Sequence, residues 1–356
     1  MKSLKSFKED IHKCSKCGLC QAACPIYEIT GNDCTVSKGQ FIMLRGFLKG
    51  DLKMTKPLNK YLDLCLKCNK CKEFCPSGID AVDIIVSAKY EHFRKSKIEK
   101  LKTFLQKNII FGFFLNILKH FSKNKKSKSF DKKVIYFGGC GGKLIGNNAI
   151  VSLLNDINIE VITPNFDCCG IPYYTRGDIP SFEGSIRKYI KILKQYDINE
   201  VVTSCASCEK ALKSYIKWSD NDEDKNFLSK IKIKNIYEYL RENNCKFRLK
   251  NKFKVTYHKP CNLHNYDDIE YILNSTDNLD YIKSENFDKC CGFNGITKPS
   301  LFSVMSKIFE SKRKDIETTG AEIILTSCMG CEVALKLFSK GKYKVCDLFS
   351  FLNKNK

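Results

Sequence analysis

Histidine is scarce in this 356-residue chain: His12, His92, His120, His258 and His264 are all there is, too few and too scattered for a histidine-built zinc or haem centre. Arginine is scarcer than the charge suggests. Of the 61 basic residues seven are Arg, and the lysine excess behind the net charge of +22 is spread along the chain. Bidentate reading of bases and phosphates favours Arg, so this charge does not point to nucleic acid; acidic partners or an anionic membrane surface suit it better. No Gly-x-Gly-x-x-Gly occurs, which leaves the chain without a recognisable flavin or NAD site. The glycine run from Phe137 to Leu144 is one residue short of a phosphate loop, and Leu144 stands where Ser or Thr would bind Mg²⁺. Its glycines suit a close approach of the backbone to a bound group instead. A Cys-x3-Cys-x2-Cys run is also missing, which speaks against radical chemistry on S-adenosylmethionine. The N-terminal residues have no apolar h-region and no small-residue cleavage site, so export is not expected and a cytoplasmic location is. The most apolar stretch, Asn108–Phe121, is interrupted by Asn116 and Lys119 and falls short of the ~20 residues of a membrane span. It reads either as a helix packed on the protein or a partner, or as an interfacial helix on the inner face of the cell membrane.

What the chain has in abundance is cysteine. There are 21, about 6% of residues and an odd number, against ~8–10% in small secreted disulfide scaffolds. In a reducing compartment such density points to metal. Residues 1–95 hold nine, residues 96–132 none, and residues 133–356 the other twelve. The first region has few β-branched runs and reads as short helices around cysteine loops. The middle region reads as a basic and apolar linker helix.

Residues 133–356 contain a repeat, divided here into 133–250 and 251–356. Lys132–Cys140 (KKVIYFGGC), Asn165–Gly170 (NFDCCG) and Glu200–Lys213 (EVVTSCASCEKALK) recur as Phe253–Cys261 (FKVTYHKPC), Asn286–Gly292 (NFDKCCG) and Glu322–Lys336 (EIILTSCMGCEVALK). The offset drifts from 121 to 123 residues, as two small insertions would produce. In each copy short β-branched runs (Val134–Phe137 and Glu200–Thr203, then Val255–Tyr257 and Glu322–Thr326) alternate with helical patterns such as Phe182–Lys194 and Leu301–Glu317. Each copy is therefore expected to be a small α/β unit.

Two cysteine runs share one spacing: Cys14-x2-Cys17-x2-Cys20-x3-Cys24-Pro25 and Cys65-x2-Cys68-x2-Cys71-x3-Cys75-Pro76. This is the bacterial ferredoxin run, in which three thiolates hold one [4Fe–4S] cubane and the fourth reaches the other cluster. The expected sets are Cys14, Cys17, Cys20 and Cys75 for one cubane, and Cys65, Cys68, Cys71 and Cys24 for the other; zinc suits neither spacing. The 40 residues between the runs exceed a compact ferredoxin and resemble the α-helical ferredoxin module of succinate-dehydrogenase-type iron–sulfur subunits.

Each repeat adds five cysteines: Cys140, Cys168, Cys169, Cys205 and Cys208, then Cys261, Cys290, Cys291, Cys328 and Cys331. Five is one more than a cubane or a zinc tetrahedron needs. Adjacent side chains diverge along extended backbone, so both members of a vicinal pair serve one centre only if the chain bends, which Gly170 and Gly292 permit. Each Cys-x2-Cys pair falls where a strand meets a helix N-terminus, whose N–H groups stabilise thiolates.

With all eighteen motif cysteines present from Cys14 to Cys331, the chain resembles the iron–sulfur oxidoreductases with paired cysteine-rich CCG domains. These include the iron–sulfur subunits of glycolate oxidase, of anaerobic glycerol-3-phosphate dehydrogenase and of heterodisulfide reductase. The resemblance implies an α+β multidomain fold, an α-helical ferredoxin domain followed by a duplicated α/β CCG domain. It implies that the ten repeat cysteines bind either two non-cubane [4Fe–4S] clusters, or one cluster and a structural zinc site. It also implies an electron-transfer subunit partnered by an FAD-linked dehydrogenase that oxidises glycolate, lactate or glycerol 3-phosphate, with a quinone or similar acceptor. The alternative is a heterodisulfide-reductase-like enzyme that reduces a disulfide at the CCG centres. His258 and His264, flanking Cys261, either tune a cluster and carry protons or are packing residues. Cys34, Cys245 and Cys346 fit no motif and read as buried free thiols.

Overall fold

The computed structural model describes residues 3–98, 100, 101, 130, 132–139, 147–263, 265–293 and 301–356. Cys140, His264, most of the glycine run after Gly139, and the apolar segment 108–121 lie outside them.

The N-terminal part is helical throughout its described length. Its helices are α1 (Lys8–Lys13), α2 (Leu19–Ala22), α3 (Pro25–Thr30), α4 (Ser37–Lys49), α5 (Lys56–Leu64), α6 (Lys70–Glu73) and α7 (Ala81–Phe93). Proline opens α3 and lies in the first turn of α5, where its missing N–H has no intrahelical partner to lose. Ile11, Phe41, Leu44, Leu62, Ile84 and Ile85 form the core of this module. The cysteine loops hang from it. Arg45 of α4 donates to the carbonyls of Ile11 (2.7 Å) and Cys14 (2.7 Å), clamping the start of the first loop. The two loops are the same turn built twice. Lys16 and Lys67 lie in the left-handed region at φ 63° and 55°, as do Gly18 and Asn69 at 89° and 64°. Asn substitutes for Gly there because it tolerates that conformation better than other L-residues.

The repeats each hold a four-stranded, all-parallel sheet. The first contains β1 (Lys132–Tyr136), β2 (Ile159–Ile162), β3 (Glu200–Thr203) and β4 (Lys232–Asn235) in the order β2-β1-β3-β4. The second contains β5 (Arg248–Tyr257), β6 (Asp277–Tyr281), β7 (Ile323–Thr326) and β8 (Lys344–Asp347) in the order β6-β5-β7-β8. The orders match strand for strand, as the duplicated sequence predicts. β5 begins at Arg248, ahead of the 250/251 division, so the second sheet takes residues that the repeat pattern allots to the first copy.

The connecting helices are α8 (Asn147–Asp156), α9 (Ile171–Arg176), α10 (Ile179–Leu193), α11 (Ala206–Trp218), α12 (Asp222–Ser229) and α13 (Ile236–Glu242) in the first copy. In the second they are α14 (Asp267–Ser275), α15 (Phe302–Glu317), α16 (Met329–Ser339) and α17 (Leu348–Asn355). One apolar core runs through both copies and contains Tyr136, Tyr237, Leu240, Tyr257, Leu325 and Leu352. Cys245 and Cys346 pack at its edge, half-buried rather than buried, and Cys34 is half-buried as well. Val82 and Val86 of α7 join the core of the first copy with Phe182 and Trp218, docking the helical module on the repeats. Asp83 of α7 extends that joint by accepting from Tyr174 Oη and Lys217 Nζ. No helix among the described residues is long and apolar enough to cross a membrane.

Candidate metal centres

In a doubly wound parallel sheet, ligand sites form beyond the carboxyl ends of the strands, where the strand order reverses. Here the reversal falls between β1 and β3 and between β5 and β7. Cysteines occupy those ends: Cys205 follows β3, Cys261 follows β5 and Cys328 follows β7. Cys205 caps α11 and Cys328 caps α16. The backbone N–H three residues on, of Cys208 and Cys331 respectively, lies near each sulfur and favours its thiolate.

The vicinal pairs bend as their glycines suggest. Gly170 and Gly292 adopt φ of 77° and 80°, and a Cβ on Gly170 would lie 2.8 Å from Phe182 and 2.9 Å from Ser185 Oγ. In the second copy the turn brings five sulfurs into file. Cys261 touches Cys290, Cys290 touches Cys291, Cys291 lies 3.5 Å from Cys331, and Cys331 touches Cys328. The 3.5 Å separation is far from a disulfide bond length of ~2.05 Å. Cys290, Cys291, Cys328 and Cys331 are buried and Cys261 half-buried. In the first copy Cys208 touches Cys169 and Cys205, with Cys168 beside them. Crowded sulfurs cannot all ionise. Cys291, which shares hydrogen bonds with Cys290 and Cys331, is lowered below a free thiol, and Cys328 is also held well below one by its neighbours Cys205 and Cys331. Cys261, Cys290, Cys331 and Cys208 are pushed up by the same contacts and by burial.

The ferredoxin-type cysteines fall into two groups. Cys14, Cys17, Cys20 and Cys75 line one cavity with Ser37, Phe41 and Pro76, and Cys71 reaches its wall. Cys71 also lies in the field of Cys65, Cys68 and Cys24, while its sulfur accepts from Ser37 Oγ at 3.3 Å. Burial pushes the Cys24 and Cys68 thiols up to about 12. Thiols so reluctant to ionise on their own need a bound cation to deprotonate them. The donors are all sulfur, soft and crowded, which fits iron–sulfur clusters.

Three features of the site are invisible in the spacing. Cys68 packs against the apolar cluster that contains Cys290 and lies in the field of Cys261, so the second ferredoxin set adjoins the second repeat. Cys205 touches Cys328, and Ser207 Oγ lies 3.1 Å from Cys328 Sγ, so the repeats meet sulfur to sulfur. Asn262 ties that seam by donating to Ser207 Oγ (3.0 Å) and accepting from Lys210 Nζ (3.0 Å). The third is a buried polar pair, His258 and Lys312, beside Cys291. Burial, reinforced by Lys312, lowers the imidazole to about 3. A mismatch between the copies, Phe137 against His258, is the sequence signal that would have drawn attention to it.

Gly139, next to Cys140, shows why the glycine run is there. It adopts φ 54°, and a Cβ on it would lie 2.9 Å from Cys208 Sγ. Gly139→Ala is expected to combine ~1–2 kcal/mol of left-handed strain with displacement of that sulfur, so that the first repeat loses iron while the ferredoxin sets keep theirs. Unchanged iron content and unchanged electron paramagnetic resonance (EPR) spectra would contradict this.

The resemblance to known proteins accords with this geometry. Residues 10–79 match the 4Fe-4S dicluster domain, and residues 134–213 and 255–336 each match the cysteine-rich domain CCG. The probable glycolate oxidase iron-sulfur subunit of Bacillus subtilis is 25% identical, with 95% of this chain and 92% of that protein covered. A subunit of the dihydromethanophenazine:CoB–CoM heterodisulfide reductase of Methanosarcina mazei is 23% identical, over 91% of this chain and 88% of that protein. An uncharacterized iron-sulfur protein of Methanocaldococcus jannaschii is 26% identical, over 92% of this chain and 68% of its own length. Among solved structures, a hypothetical protein from Helicobacter pylori shares the fold at a TM-score of 0.53 and 13% identity, over 99% of this chain and 76% of that one. The chain belongs to the iron–sulfur oxidoreductase proteins that join a 4Fe-4S dicluster domain to two cysteine-rich CCG domains.

Proposed function

We propose that this chain is the electron-transfer subunit of a flavin-dependent dehydrogenase. A separate FAD-linked subunit oxidises a 2-hydroxy acid such as glycolate or lactate, or glycerol 3-phosphate, and a quinone or similar acceptor takes the electrons. The observation that carries this reading is the single file of donor sets. The file starts at the exposed Cys17, continues through Cys68 to Cys261 and Cys290, and crosses from Cys328 to Cys205. In this proposal Cys14, Cys17, Cys20 and Cys75 hold one [4Fe–4S] cubane, Cys24, Cys65, Cys68 and Cys71 the other, and the two five-cysteine sets hold non-cubane clusters. Bound there, the clusters supply one-electron acceptance and release. The chain's own residues keep the sets adjacent, hold water off the buried sulfurs and place Lys210 among the thiolates of Cys68 and Cys261. The lack of a dinucleotide motif favours a partner that brings the flavin.

A second reading, reduction of a disulfide at the CCG centres, is favoured by one observation: the two repeats present their sulfurs to each other at Cys205 and Cys328. Anaerobic isolation of the native complex, with flavin and iron counted, separates the two. A co-purifying flavoprotein with about 16 iron per chain, four for each of four clusters, is the expected result. A chain isolated alone, or with haem or thiol-reductase partners and reducing disulfides, overturns the dehydrogenase reading.

A further inference from the structure

The repeats are alike in strand order and cysteine pattern but not in what lies against the sulfurs. Equivalent positions follow from the packing. Tyr136 Oη pairs with Ser204 Oγ at 2.9 Å, and Tyr257 Oη with Ser327 Oγ at 2.7 Å, so the next residues, Phe137 and His258, correspond. Gly170 abuts Phe182 and Ser185, and Gly292 abuts Met305 and Ile308, which aligns Tyr189 of α10 with Lys312 of α15. In the first copy Phe137 packs at a tilt against Phe166 (ring centroids 4.9 Å) and edge-on against Tyr189 (5.9 Å), an aromatic wall. In the second copy Phe287 keeps the place of Phe166, but the other two rings are replaced by His258 and Lys312, each 1% exposed.

Lys312 has partners: Nζ donates to the Asn286 carbonyl and lies 3.7 Å from Asp315. Among the described residues His258 has hydrogen-bond partners only on its backbone, whose N–H donates to Leu325 O at 2.8 Å. Its ring reaches within 4.8 Å of the sulfurs of Cys291 and Cys331, and neither ring nitrogen has a hydrogen-bond partner among the described residues. Burying an imidazole N–H with no acceptor costs ~1–3 kcal/mol, and the sulfurs of Cys291 and Cys331 lie close enough to relieve it with a small shift. A metal-ligating imidazole almost always fixes its other N–H on a carboxylate or carbonyl; His258 shows no such acceptor among the described residues, which points to donation rather than ligation.

We propose that His258 donates an N–H to the sulfur atoms of the loaded second-repeat centre and so holds it at a higher reduction potential than the first-repeat centre, where Phe137 offers no donor. A donor aimed at sulfur stabilises the extra negative charge of the reduced form, and potentials of iron–sulfur centres respond to such bonds. The electron then rests preferentially on the centre beside Cys68. The inference rests on the reading that both repeats carry redox-active centres.

The test is an EPR-monitored redox titration of the holoprotein, with each repeat's signal assigned by Cys169→Ser and Cys291→Ser. His258→Phe, the first-repeat residue, is expected to lower the potential of the second centre. The expected size is about tenfold in its one-electron equilibrium, ~59 mV, with iron content unchanged. His258→Gln, which keeps an N–H donor, restores most of the shift, and Phe137→His raises the first centre. An unchanged potential in His258→Phe with its signal retained overturns the inference alone. Loss of the second centre's iron in both His258 variants overturns it in favour of ligation. A wild-type second repeat with no redox signal overturns the donor-set reading and the inference together, and is seen before any substitution is made.

Discussion

Replacing Cys68 by alanine is expected to remove about four of the ~16 irons per chain that the proposed four clusters would hold and to stop electron delivery from the N-terminal module to the repeats, with the protein still folded and assembled. Cys68 is the ferredoxin-type cysteine whose field reaches Cys290 and whose own thiol is pushed up by Cys261, after burial. It shares a small apolar patch with Ile26, Leu66, Cys290 and Ile308, where the module meets the second repeat. The joint has other fastenings: Lys70 pairs with Asp288 at 3.0 Å and Lys289 with Glu28 at 2.9 Å. Exposed pairs of this kind contribute ~0.2–1 kcal/mol each, and α3 packs on α15 beside them. The alanine variant therefore loses a donor set without losing the docking. Cys17→Ala is the informative comparison. It removes the same amount of iron from the exposed end of the file but leaves Cys24, Cys65, Cys68 and Cys71 beside the repeats. Rapid-mixing reduction followed at the repeat-centre signal should be abolished in Cys68→Ala when the electron donor acts at the N-terminal end. Iron loss with undiminished reduction would show that electrons reach the repeats by another route, and the single file would be wrong.

Much of this architecture was legible because cysteine spacing is local information. The ferredoxin runs, the bend at Gly170 and Gly292, and the placement of Cys205 and Cys328 at helix N-termini all depend on residues a few positions apart, and the structure reproduces those bends and caps. The offset repeat likewise foretold two units, which have the same strand order. Spacing carries nothing about how one unit faces another. The meeting of Cys68 with Cys261, and of Cys205 with Cys328, depends on the shared core around Tyr136 and Tyr257 and on α7 docked by Val82 and Val86. Those contacts join residues up to about 200 positions apart, and no periodicity reports them. Lys312 was hidden for another reason. On an amphipathic helix a lysine reads as solvent-facing, yet here tertiary packing buries it at 1% exposure with Asp315 as its partner.

A second mismatch between the copies predicts a pH-dependent stability. Asn235 ends β4, caps α13 by accepting from the Tyr237 N–H, and donates its amide to Glu209 Oε2 at 2.9 Å. The corresponding residue in the second copy is Asp347, which ends β8 and caps α17 by accepting from the Ser350 N–H at 2.9 Å. Asp347 is 6% exposed, and its carboxyl has Glu332 for a neighbour in place of an amide–carboxylate bond. Burial, with Glu332 adding to it and the Ser350 N–H opposing it, raises this carboxyl from 3.8 to about 7. The folded state therefore binds a proton that the unfolded chain has released. The stabilisation is fully present below pH ~4 and is lost as pH rises through ~7, an effect on the order of 4 kcal/mol for one carboxyl. Asp347→Asn keeps the cap, since Asn is as good an N-cap as Asp, and removes the charge. The variant is expected to be more stable than wild type by ~2–4 kcal/mol at pH 8, with the difference shrinking to ~1 kcal/mol near pH 4.5. Thiolates bound to metal also respond to pH. That response is common to both proteins, so the difference between denaturation curves of the two anaerobic holoproteins at each pH isolates Asp347. Wild type as stable as the variant at pH 8, or more so, would mean that Asp347 is ionised in the fold and works as a charged cap, and that Glu332 is too far away or too well paired with Lys336 to oppose it.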